Sequence, residues 1–168
     1  KLAWPAQKRN DLVYVAAVWK GNAILVGKNQ VIAISMETGK PAWNKSLDLP
    51  EGSMPSGRGF HAGDDYYLPT TNQQLLRIDL KGGTIAQRIR TDRTLGNLIC
   101  YRDEIISHGS DGMSVYPMVK PLRERVANML KQNPDDAWAL GRMADLAAYD
   151  GQLDKSLELL RKACQLHP

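Results

Sequence analysis

His61, Asp64 and Asp65 in "HAGDDYYLP" make the most metal-like set of side chains in the chain. An imidazole and two carboxylates are suitable ligands, but a stable site also needs a second element to supply the rest. Asp next to Gly more simply marks a turn, because its carboxylate bonds its own backbone. The sequence therefore predicts a strand, an Asp-rich turn and the next strand. His108 in "SHGSDG" stands before Ser110, Asp111 and Gly112, which read as turn residues. His167 follows the last helical run, where it suits the negative end of the helix dipole. No serine sits in a GxSxG elbow. "GSMPSGRG", Gly52 to Gly59, lacks the Lys-Ser/Thr and following helix of a phosphate cradle and reads as a flexible loop. Cys100 and Cys164 lie in apolar runs without a CxxC partner or a nearby His set. They read as small core residues, and spacing does not settle whether they pair.

Charge narrows the choice of partners. The chain of 168 residues has a formal net charge of +4, with 14 basic and 11 acidic side chains over 1–118 and 8 and 7 over 119–168. This even spread implies no nucleic acid. The densest positive stretch, "RIRTDRT", places Arg88 and Arg90 on one face of a strand with Arg93 in the turn, as on a solvated outer strand. No run approaches the roughly 20 apolar residues that span a bilayer. The chain opens on Lys1, so the expectation is a start inside a longer protein or after a cleaved leader.

Two periodicities organise the chain. From Val13 to about Tyr116 short apolar runs alternate with Gly, Asn, Asp, Thr and Lys clusters, which predicts an all-β half. Its strands are expected at 12–19, 23–26, 31–35, 43–47, 66–69, 74–79, 85–90, 98–101, 104–107 and 113–116. From Pro121 the spacing becomes helical. After a break at "QNPDD", two further helices are expected over 137–148 and 153–166. The two prolines of "YPMVKP" separate the halves, giving domains 1–118 and 119–168.

Sliding the β half by 44 residues sets "VIAISMETGKPAW" on "LLRIDLKGGTIAQ", with Ile34 on Ile78, Ser35 on Asp79, Gly39 on Gly83 and Trp43 on Gln87. "EIISHGSDGMSVYP" forms a shortened third copy without the glycine turn. Units of about 40 residues with some four short strands each fit propeller blades. A strand, an Asp or similar, two residues, Thr-Gly, three residues and Trp resembles the blade signature of bacterial quinoprotein-like β-propellers, the PQQ-like or tryptophan-docking repeats. The copies are degenerate: Ser35 replaces the Asp of the first, Gly82 and Gln87 the Thr and Trp of the second. The resemblance implies a left-handed Gly in the hairpin and a Trp43 ring docked between neighbouring blades.

The helical end resembles a tetratricopeptide repeat. With Pro168 as the terminal proline, Leu140, Ala144, Ala147, Ser156, Leu160 and Ala163 fall on the large and small positions of that pattern. Ala144, Ser156 and Ala163 are expected to face inward and let the helices approach, with Leu157 and Leu160 filling the remaining space. Trp138, at the start of a helix, is expected to pack on the preceding one.

The fold class expected is mainly β plus α: two to three antiparallel blades of a partial propeller, followed by a tetratricopeptide-like helical hairpin. Quinoprotein dehydrogenases of the blade family carry about eight blades, a catalytic Asp, a calcium site and often vicinal cysteines, none of which these residues match. The function expected is a non-catalytic protein-interaction or assembly scaffold without a cofactor, forming the C-terminal part of a larger protein. Its partners are other proteins or further segments of the parent chain, and Trp138, Arg142 and Asp145 are candidates for the binding face. The alternative is a fragment of a quinone (PQQ)-dependent dehydrogenase whose site lies on other blades; a structural shell protein is a third option. The resemblance implies export to the bacterial periplasm or cell envelope. A propeller short of closure is also expected to leave an open, self-associating edge.

Overall fold

A computed structural model describes residues 4–5, 9–101, 104–110 and 112–166. Lys1, Asp111, His167 and Pro168, on which several expectations above rest, lie outside the described residues.

Among the described residues eleven strands form three sheets, the first two antiparallel. The first runs β1 (Leu12–Trp19), β2 (Asn22–Gly27), β3 (Gln30–Ser35) and β4 (Leu47–Asp48), in that spatial order. The second repeats the meander with β5 (Phe60–Ala62), β6 (Asp65–Thr70), β7 (Gln74–Asp79) and β8 (Thr84–Arg90). The third is ordered β11 (Gly112–Pro117), β10 (Glu104–Gly109) and β9 (Asn97–Tyr101). Eleven residues, 36–46, link β3 to β4; the other linking turns within the sheets are short, so sequence neighbours pair as space neighbours. The first of them, Lys20-Gly21, takes positive φ at both residues, matching the twist of the strands it joins.

The repeat is visible in the registers. Ala23 pairs with Ile34 and Ile24 with Ala33 in the first sheet; Tyr66 pairs with Ile78 and Leu68 with Leu76 in the second. Ile24, Val26, Val31 and Ala33 from one sheet and Tyr66, Leu68, Leu76 and Ile78 from the next are buried in a single cluster, completed by Trp43, Leu49 and Leu80.

Two β expectations need correction. The strand expected over 43–47 is reduced to Leu47–Asp48, and residues 42–45 are a bend. Trp43 turns away from its own sheet to reach the next one, which takes its backbone off the ladder. The flexible loop expected over Gly52 to Gly59 is instead held from Ser53 onward. Thr71 N–H bonds Met54 O at 2.8 Å, Leu98 N–H bonds Arg58 O at 2.7 Å, and the Ser56 hydroxyl donates to Leu95 O at 2.6 Å. Its polar, small residues supply bonds to the sheets on either side, which composition alone does not reveal. Both cysteines are exposed rather than in a core.

Among the described residues three helices follow: α1 (Val119–Gln132), α2 (Ala137–Tyr149) and α3 (Leu153–Leu166). Pro121 lies inside the first turn of α1, where no intrahelical bond is lost. Asp136 caps α2 by accepting from Ala139 N–H at 2.8 Å. Gly151, at φ 77°, reverses the chain into α3. The chain divides into two compact units, 1–100 with 106–115, and 101–105 with 116–168. Among the described residues no helix is long and apolar enough to cross a membrane.

Candidate functional site

Ser35 and Asp79, each at the end of a strand, open the same tight turn. Ser35 Oγ accepts from Thr38 N–H at 3.3 Å, and the Asp79 carboxylate accepts from Lys81 and Gly82 N–H at 3.2 and 3.1 Å. Gly39 and Gly83 close the turns with bonds of 2.8 and 3.0 Å to Ser35 O and Asp79 O, at φ 69° and 63°. Glycine serves twice here. It takes the left-handed conformation cheaply, and its lack of a side chain leaves a floor for an aromatic ring. A Cβ on Gly83 would run into the Trp43 ring.

Trp43, 8% exposed, lies over Gly83 and donates from Nε1 to Leu80 O at 2.9 Å. Trp4 repeats the arrangement one unit earlier. Its Nε1 donates to Met36 O at 2.9 Å, and a Cβ on Gly39 would approach its ring to 2.8 Å. Sequence reasoning misses Trp4, although "KLAW" at 1–4 and "KPAW" at 40–43 share Lys-x-Ala-Trp. The signal precedes the first strand and so lies outside the alternating pattern.

Asp64 fastens the first two sheets a second time. Its carboxylate accepts from Lys81 Nζ at 2.7 Å, Lys20 Nζ at 3.0 Å and Trp19 Nε1 at 3.2 Å, while its carbonyl accepts from Leu80 N–H at 2.9 Å. Lys81 first and Lys20 second pull its pKa down to about 2. Asp64 is thus engaged by cations already present in the chain. His61 turns to Gly63 O at 2.7 Å, and Asp65 faces Arg77 at 3.9 Å. These three residues have separate partners, and no metal-holding group of His, Cys, Asp or Glu occurs among the described residues. His108, Arg88, Arg90 and Arg93 are all exposed.

In the helical unit, Ala144 is fully buried, Ser156 is buried and Ala163 is partly so. Leu157 and Leu160 are corrected: at 52% and 41% exposed they do not fill the space between helices. Leu153, Leu157, Leu160 and Cys164, spaced four, three and four apart, form one stripe, which helical geometry turns away from the line of buried Ser156 and half-buried Ala163. Trp138 meets the preceding helix, α1, through Arg125, whose guanidinium stands 5.0 Å from the ring centre, but it stays 45% exposed, so the burial expected with that packing is corrected. Arg142 lies 6.0 Å from the same ring and pairs with Asp145 at 3.0 Å. A charged neighbour keeps the ring at the surface, because its own hydration is kept there. Trp138, Arg125, Arg142 and Asp145 together present an aromatic plane rimmed by both signs of charge.

No family model and no curated protein matches the chain. Among solved structures it is similar to BamB from Moraxella catarrhalis, at 18% identity and TM-score 0.46 over 58% of this chain and 30% of that one. The computationally designed Ika4 protein matches at 12% identity and TM-score 0.48, over 61% of this chain and 63% of that one. The designed Ika8 protein matches at 10% identity and TM-score 0.44, over 61% and 32%. The chain thus spans under two thirds of the length of each.

Proposed function

We propose that the protein is a non-catalytic interaction scaffold in which tryptophan-docked blades of a propeller carry a tetratricopeptide-like helical arm that grips a partner protein. The half-exposed Trp138, flanked by Arg125 and the Arg142–Asp145 pair, carries this reading. A large aromatic left out of the core and ringed by charge has the composition of an interaction hot spot. The blade reading is supported by the paired docking of Trp4 on Gly39 and Trp43 on Gly83, which makes successive sheets equivalent. The helical reading is supported by buried Ala144 and Ser156 where α2 meets α3. The work falls in the bacterial periplasm or envelope, on the blade signature. The partner is another protein or a further segment of the parent chain.

A photo-crosslinking side chain at position 142 of the parent protein, expressed in its own host, tests this. A discrete protein adduct that is lost with Trp138→Ala is expected. Absence of an adduct, or one indifferent to Trp138→Ala, would overturn the assignment of this face.

A further inference from the structure

A cavity of about 370 Å³ opens beside β1 in the sheet unit, walled by Val13, Tyr14, Lys28, Met54, Pro55 and Arg58. Its size is at the lower end of the range for ligand sites. Its back wall is rigid. Tyr14 Oη donates to Gly57 O at 3.1 Å, Gly59 N–H donates to Tyr66 Oη at 3.0 Å, and Arg58 N–H donates to Asn97 Oδ1 at 2.8 Å. The backbone here is also packed too closely for side chains: a Cβ on Gly57 would strike Gly96, and one on Gly59 would strike Tyr67 O. These bonds occupy polar groups of the wall itself and leave its two cations.

Lys28 and Arg58 are both exposed, and neither has an ion pair among the described residues. The Arg58 guanidinium rests 5.2 Å from the Tyr14 ring centre, which fixes its place without neutralising it. Among the described residues no acidic side chain lines the cavity. Beside the cations lie exposed apolar surfaces, Val13 and Met54. Val13 belongs to β1, the edge strand of its sheet, so an extended segment can lie alongside it.

We propose that this cavity binds an extended segment of a partner protein that carries an acidic side chain next to an apolar one. Lys28 and Arg58 take the carboxylate; Val13, Met54 and Pro55 take the apolar group. The charge balance selects the anion, and the apolar wall separates this ligand from a bare inorganic anion.

The test is an NMR titration of the ¹⁵N-labelled chain with N-acetyl-leucyl-glutamyl-leucine amide. Saturable shifts are expected at the amides of Val13, Arg58 and Asn97. Binding should weaken about tenfold for the glutamine analogue and for Arg58→Gln or Lys28→Gln, the size of one charge-assisted contact. Both substitutions are at exposed side chains, so their folding is checked by unchanged spectra elsewhere. Trp138→Ala should leave the titration unaltered, so loss of the helical face and loss of this cavity are read separately. The proposal fails if no shift saturates, if the glutamine analogue binds as tightly, if inorganic phosphate reproduces the shifts at equal concentration, or if Trp138→Ala abolishes them.

Discussion

The first two sheets and the third have the same strand alternation but differ in how they are joined. Between sheets one and two, Trp43 crosses to Gly83 and Leu80, Asp64 collects Lys20, Lys81 and Trp19, and eleven residues from both sides share one buried cluster. At the position of Trp43 the second unit has Gln87, and among the described residues the third sheet contributes none to that cluster. Hydrogen bonds tie this sheet to the segment that opens the second sheet, with Ser56 on Leu95 O and Leu98 N–H on Arg58 O, while Leu95 and Leu98 are themselves buried. Ile99, Met113 and Val115 remain exposed on it, Met113 at 70%. One tryptophan on one glycine thus marks the first joint, and the second has no counterpart of it at Gln87.

Breaking the joint should give the largest effect. Trp43→Ala removes a buried indole and its hydrogen bond, and is expected to lower stability by about 3 to 5 kcal/mol in denaturant unfolding. Gly83→Ala should cost about 1 to 3 kcal/mol by forcing a methyl into the ring. Combined with Trp43→Ala it should cost less than the sum, because the clash goes when the ring goes; strict additivity in the double-mutant cycle would show that the two do not share a contact.

Asp64 sharpens the comparison through pH. Its folded pKa, about 2, lies below the ordinary 3.8, so its contribution is present above 3.8 and is lost as pH falls from there toward 2. Asp64→Asn should therefore flatten the stability profile in that window and leave its shape unchanged near neutrality. The smallest effect is expected on the third sheet, where Met113→Ser should change stability by no more than about 0.5 kcal/mol. A large loss there would mean that Met113 packs where its exposure shows no partner.

How much was legible depends on the range of the interaction. β1, β7 and α3 could be bounded to the residue, because period-two and period-3.6 apolar spacing is a local consequence of burying one face. β5 was expected only as the strand before the Asp-rich turn, without bounds, since three residues such as Phe60–Ala62 carry too little alternation to delimit. In the repeat, the offsets of Gly39 from Trp43 and of Asp79 from Gly83 stood in the sequence. That the Trp43 ring sits on Gly83, a residue of the next unit, could not be read from either offset, nor could the role of Trp4.

By itself the sequence determined the alternation of strands, the change to helices near Pro121, the glycine turns at Gly39 and Gly83, whose left-handed conformation the resemblance implied, and the absence of a long apolar span. Each follows from backbone sterics and from neighbours a few residues apart. Only the tertiary structure decided which side chains met across those elements: Asp64 with two lysines rather than beside His61 as a ligand, Gly52 to Gly59 as a pinned wall rather than a free loop, Trp138 between arginines rather than in a core, Leu157 facing outward. These depend on groups brought together from distant positions, where burial and desolvation choose among partners that local spacing leaves equally open.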